Sequence, residues 1–164
     1  MFGYLLVRFL HIGSAILLVG GIMARQLARS RTKRAAHPAA LVAMFQAADP
    51  IERYMVMPGS FGVIVFGVAW ALLTGVPLFG FLQGSSRNGL LVSDVLVLLI
   101  ALLVPLVFIP RGKVFDRLLQ EAVEQGRITP ALRASLNDPV VGLSHGFELA
   151  AVLLVFVLMV FKPI

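Results

Sequence analysis

Five ionisable residues lie inside or at the edges of long apolar stretches: Arg8, His11, Asp94, His145 and Glu148. Their types suggest two kinds of chemistry. Histidines on membrane helices can ligate haem iron or another metal. Arginine and carboxylate side chains can pair across a helix interface. An ionised group at membrane depth is expensive, so such residues usually face the bundle interior and find partners.

The stretches that must position them are Phe2–Met23, Pro58–Leu78, Leu90–Ile109 and Val140–Phe161. Each is long enough for a hydrocarbon core, which takes ~20 apolar residues. The 164-residue chain is 59% hydrophobic and 13% charged, with a mean hydropathy of +0.96. That composition excludes an ordinary soluble domain. The apolar runs are continuous and do not alternate, which argues against a β-barrel. The expected fold is all-α and polytopic: one domain over residues 1–164, an antiparallel four-transmembrane-helix bundle with short amphipathic cytoplasmic helices.

The net charge of +6 is patterned by loop. Arg25, Arg29, Arg31, Lys33, Arg34 and Arg53 flank the first connection, and Arg111, Lys113, Arg117, Arg127 and Arg133 occupy the third. The second connection holds only Arg87, and Lys162 lies near the C-terminus. This is the positive-inside pattern, with the first and third connections cytoplasmic and both termini external. The expected partners are the bilayer, its anionic headgroups and other membrane subunits, not nucleic acid. The first segment reads as a retained helix, because its basic cluster follows the apolar run.

Local signals refine this frame. Gly13, Ala15, Gly20 and Gly21, then Gly59, Gly62 and Gly67, allow close helix approach. Ser30–Ala36 reads as a loop, and Pro38–Ala48 as a short interfacial helix presenting Leu41, Met44 and Phe45. Asp49-Pro50-Ile51-Glu52 resembles a helix start, with kinks expected at Pro58 and Pro105. The outer loop, 79–89, carries Gly-Ser-Ser and Asn-Gly turn chemistry. Val114–Gln125 is amphipathic through Val114, Leu118, Leu119, Ala122 and Val123. Thr129-Pro130 starts another short helix to Leu136, and Asn137-Asp138-Pro139 opens the last segment.

On the first segment, Tyr4, Arg8, His11 and Ser14 or Ala15 share a face that continues through Leu18 and Gly21 or Ile22 to Arg25. Arg8 lies ~9 Å and Asp94 ~6–9 Å below the outer end of their helices, which predicts an Arg8–Asp94 pair. The alternative is an arginine snorkelling to the outer interface. His145 and Glu148 share a face in the inner half. His11 is ~13 Å deep and His145 ~25 Å, a mismatch that disfavours one haem held by both. Haem b or a metal held by His11 is the stronger expectation, His145 the weaker; the plain reading of each is a hydrogen-bonded packing residue. His37 reads as a surface residue. Met23, Met55 and Met57 could suit Cu(I), although ordinary packing explains them. With no cysteine, thiolate ligands are excluded. No Gly-rich phosphate loop, His-Glu-x-x-His or nucleophile elbow occurs, so no catalytic residue is assigned.

Three places resemble a family of small bacterial predicted integral membrane proteins catalogued as a domain of unknown function. They are Phe9-Leu10-His11-Ile12-Gly13-Ser14-Ala15 with Val19-Gly20-Gly21, Pro58-Gly59 with Leu73-Thr74-Gly75, and Leu158-Met159-Val160-Phe161-Lys162-Pro163. The first stretch is also similar to the first helix of copper-resistance D-type proteins and of HemJ-like protoporphyrinogen oxidases. That likeness implies His11 as the haem-associated position. The chain departs from the oxidases in having Leu17 and Leu18 where they carry a tryptophan, its only Trp being Trp70, and the oxidase activity is not carried over. Three functions compete: a haem or redox protein, a copper or small-solute transporter, and an accessory subunit of a larger complex.

Overall fold

The computed structural model describes residues 2–85 and 88–161. Ser86 and Arg87 of the outer loop, and Lys162 and Pro163 of the terminal motif, lie outside the described residues. Seven α-helices follow in order: α1 Phe2–Thr32, α2 Pro38–Ile51, α3 Met57–Thr74, α4 Gly89–Leu103, α5 Ile109–Glu124, α6 Pro130–Leu136 and α7 Pro139–Phe161. No strand occurs among the described residues. Among the described residues four helical stretches are long and apolar enough to cross a membrane: Phe2–Thr32, Pro38–Thr74, Gly89–Glu124 and Pro130–Phe161, the last interrupted at Asn137 and Asp138. The molecule is a polytopic four-helix membrane bundle.

The helices outrun their apolar segments. α1 takes in Ser30, Arg31 and Thr32 of the expected loop. Pro50 does not begin a helix. It sits inside α2, and Asp49 does not cap it. α2 passes into α3 through a π turn, Glu52–Val56, and α4 passes into α5 through a second, Val104–Phe108. Each π turn comes just before a proline in the next helix, Pro58 or Pro110. A proline ring collides with the carbonyl four residues back, here Tyr54 or Leu106, inside the π turn. The wider turn takes that carbonyl aside without ending the helix.

The helix starts at the other end of the chain follow their local chemistry. The Thr129 side chain accepts a hydrogen bond from the Leu132 amide at 3.1 Å, and the Asp138 carboxylate accepts from Val140 at 2.8 Å. These bonds satisfy amides that have no partner within the helix. Gly75, with φ of 65°, ends α3 in the left-handed region.

Lateral packing runs α3–α1–α7–α4. α3 and α4, at the two ends of this series, share no extended interface. At the basic end, α2, α5 and α6 form a separate apolar cluster of Ala35, Leu41, Ala122, Leu132 and Leu136. Phe45 and Phe115 join α2 to α5, their rings 4.9 Å apart. The α5 face is turned from the expected one: Phe115, Leu118, Leu119 and Ala122 point inward, while Val114 and Val123 are exposed. Leu132 is completely buried in this cluster. Leu132→Ala should cost about 2–5 kcal/mol of stability, because the small cluster cannot collapse onto the void. A thermal melt in mild detergent checks this.

Candidate functional site

The α1 face anticipated from its spacing docks on α3. Gly59 and Gly62 let the α3 backbone meet Leu18 and Ser14, and Gly67 leaves room for the His11 ring. His11 Nδ1 lies 3.1 Å from the Val63 carbonyl; as the protonated nitrogen it donates to that oxygen. Trp70 flanks the same ring, centroids 6.1 Å apart. His11 thus sits half-buried in the α1–α3 seam.

The expected Arg8–Asp94 pair is not made. Both residues are exposed, and no ion pair among the described residues includes either. The reason is topological: α1 packs on α3 and α7, whereas α4 packs on α7. Matching depth did not imply adjacency. Their exposure fits the snorkelling alternative.

At the basic end the ionisable groups converge. Arg25 Nη1 donates to Glu52 Oε2 at 3.0 Å, and Arg25 Nη2 donates to Glu148 Oε2. His145 Nδ1 lies 3.1 Å from the same Glu148 oxygen. Glu148 is only 5% exposed and His145 8%, so the network lies in the interior. Phe108 stacks on the His145 ring at 4.4 Å with planes 14° apart. Gln26 donates to the His145 carbonyl at 3.0 Å. Together these contacts join α1, the first π turn, the second π turn and α7. Arg111 pairs with Asp138 nearby.

Sequence reasoning placed His145 and Glu148 together but missed their cation. Arg25 was assigned to the basic loop cluster, and Glu52 to a helix first turn. The available signal was the α1 face itself, which continues from His11 through Leu18 and Ile22 to Arg25.

Beside the network is a cavity of about 1010 Å³. Arg25, Arg29, Glu52, His145 and Glu148 line one part of it, and Leu18, Ile22, Val97 and Ile100 another. His11 is not among its lining residues. The methionines do not form a donor set: Met23 and Met57 are exposed, and Met55 packs over Gly20 and Gly21. No group of three or more His, Asp or Glu side chains suited to a metal occurs among the described residues.

Four long apolar helices around an interior ionic network and cavity define a polytopic integral membrane protein. The chain belongs to the predicted integral membrane protein family DUF2269, whose model matches residues 5–163. Neither a curated protein nor a solved structure matches it.

Proposed function

We propose that the protein binds a small ligand in this cavity and serves in its uptake, transfer or sensing at the bacterial inner membrane. The reading rests on one observation: the buried His145 and Glu148, with Arg25 and the partly exposed Glu52, border a roomy cavity instead of being sealed in packed side chains. Interior charge beside a cavity is the usual mark of a substrate pathway in membrane proteins. The basic loops assign this end to the cytoplasm.

The chain has no cysteine, so single cysteines can probe access. Ser60→Cys and Ala101→Cys, both lining the cavity, should react with a charged thiol reagent applied from the cytoplasmic side. Gly62→Cys is not an equivalent probe, because that position is filled by Ser14. Failure of both lining positions to react, in membranes and in detergent, refutes an accessible site. Reaction only from the external side overturns the orientation.

Haem or metal binding is the second reading, and the cavity favours His145 for it. With Nδ1 engaged by Glu148, the free Nε2 is the ligating nitrogen, an arrangement typical of metal-bound histidines. His11 retains a free Nε2 in the same way. Haem-replete expression should then yield a Soret band that His145→Ala abolishes; loss in His11→Ala instead assigns the outer site. A colourless preparation refutes haem, and the absence of bound metal in elemental analysis refutes the rest of this reading.

A further inference from the structure

Building on the cavity reading, we infer that the ligand is an anionic amphiphile, a carboxylate or phosphate head on an apolar chain, and that it reaches the cavity from the bilayer between α3 and α4.

Arg25, Arg29 and Arg111 line the polar end of the cavity with Glu52, Asp138, Glu148 and Asp49, the last exposed and 4.0 Å from Arg53. Arg25 is held by Glu52 and Glu148, and Arg111 by Asp138. Arg29 lines the same cavity and is half-buried, yet its side chain makes no hydrogen bond or ion pair among the described residues. Arg25 Nε is buried and likewise has no acceptor there. A buried donor is costly to leave unmatched, and guanidinium groups suit carboxylate and phosphate oxygens. Arg29 is one helical turn from Arg25 on α1, so an anionic head held by Arg29 would lie beside the Arg25 ion pairs.

The rest of the cavity is apolar. From Arg29 to Leu18, α1 runs about 16 Å toward mid-membrane, with Ile22 between them and Ile100 on α4 also lining the space. A head at the arginines and a chain along this wall would lie as a lipid lies in the leaflet at the basic end. Such a molecule need not turn over to get in.

The route is the gap between α3 and α4, which share no extended interface among the described residues. Phe61 on α3 and Val104 beside α4 line the cavity and are also 71% and 46% exposed. Side chains that face both the cavity and the surroundings mark its lateral opening. A ligand drawn from water alone has no use for an opening at this depth.

The test compares oleate, dioleoyl phosphatidate, oleyl alcohol and inorganic phosphate on the delipidated chain in detergent. Binding is read by native mass spectrometry and by the midpoint of thermal unfolding. At least one of the two anionic lipids should bind tenfold or more tightly than oleyl alcohol, about 1.4 kcal/mol, and the stronger of them identifies the head. Arg29→Gln should erase the preference and Arg29→Lys retain part of it. Oleyl alcohol binding as tightly as both anionic lipids, a preference unchanged in Arg29→Gln, or inorganic phosphate binding as tightly as the lipids overturns the inference. Ala101→Trp, which fills the cavity, separates the two levels of the argument. Anion preference that survives Ala101→Trp refutes the cavity as the site. Binding that Ala101→Trp blocks but that shows no preference for anions refutes only the ligand class.

Discussion

Gly59→Leu should abolish recovery of folded protein. A Cβ at this position would lie 2.6 Å from the Leu18 amide nitrogen and 2.9 Å from Leu18 Cα. Those are backbone atoms, so no rotamer change relieves the overlap; α1 and α3 must separate. Overpacking a close-fitting interior usually costs about 1–3 kcal/mol, and rigid backbone contact belongs at or beyond the upper end. In membranes the loss is compounded, because helix association depends on such close van der Waals packing. Gly13→Leu is the matched control, since a Cβ there meets nothing within 4 Å. Size-exclusion profiles and melts in detergent decide the matter: equal behaviour of the two variants would refute the α1–α3 seam.

Arg25→Leu should lower stability by about 3–5 kcal/mol, because it strands the Glu148 carboxylate in the interior. Glu148→Leu should be damaging for the converse reason, with Arg25 retaining Glu52. The double variant Arg25→Leu/Glu148→Leu should recover most of the loss, since replacing a buried pair with apolar groups is often neutral or better. Glu52, at 38% side-chain exposure, can then turn to water. Additive destabilisation in this cycle, measured by thermal unfolding of all four proteins, would show that Arg25 and Glu148 do not act on one another.

The membrane architecture was legible because it is written in long apolar runs. The surfaces that form the α1–α3 seam were legible too, in the glycines of both segments and in the spacing of His11, Ser14, Leu18 and Arg25 along one face. Helix pairing was not. Asp94 and Arg8 matched in sign and depth, but depth is a coordinate along the bundle and says nothing about which helices are neighbours. Glu148 illustrates the same limit. Its cation lies 123 positions away, in a stretch whose many arginines already had an explanation as topology signals. Cavities leave still less trace, since Leu18 or Ile100 beside empty space is the same letter as Leu18 or Ile100 in a packed core.

The two π turns have a consequence for phase. Each holds one residue more than the α-helical turn it replaces, so the helix beyond it is out of register with the helix before by roughly 100°. That offset lets α2 aim Leu41 at the basic-end cluster while α3, on the same unbroken rod, aims Gly59 and Gly62 at α1. Leu41 and Gly59 are 18 residues apart, about five whole turns of an even α-helix, so without the π turn both would face the same way. Deleting one residue from Glu52–Val56 would restore an even α-helical pitch and swing the glycine face away from α1.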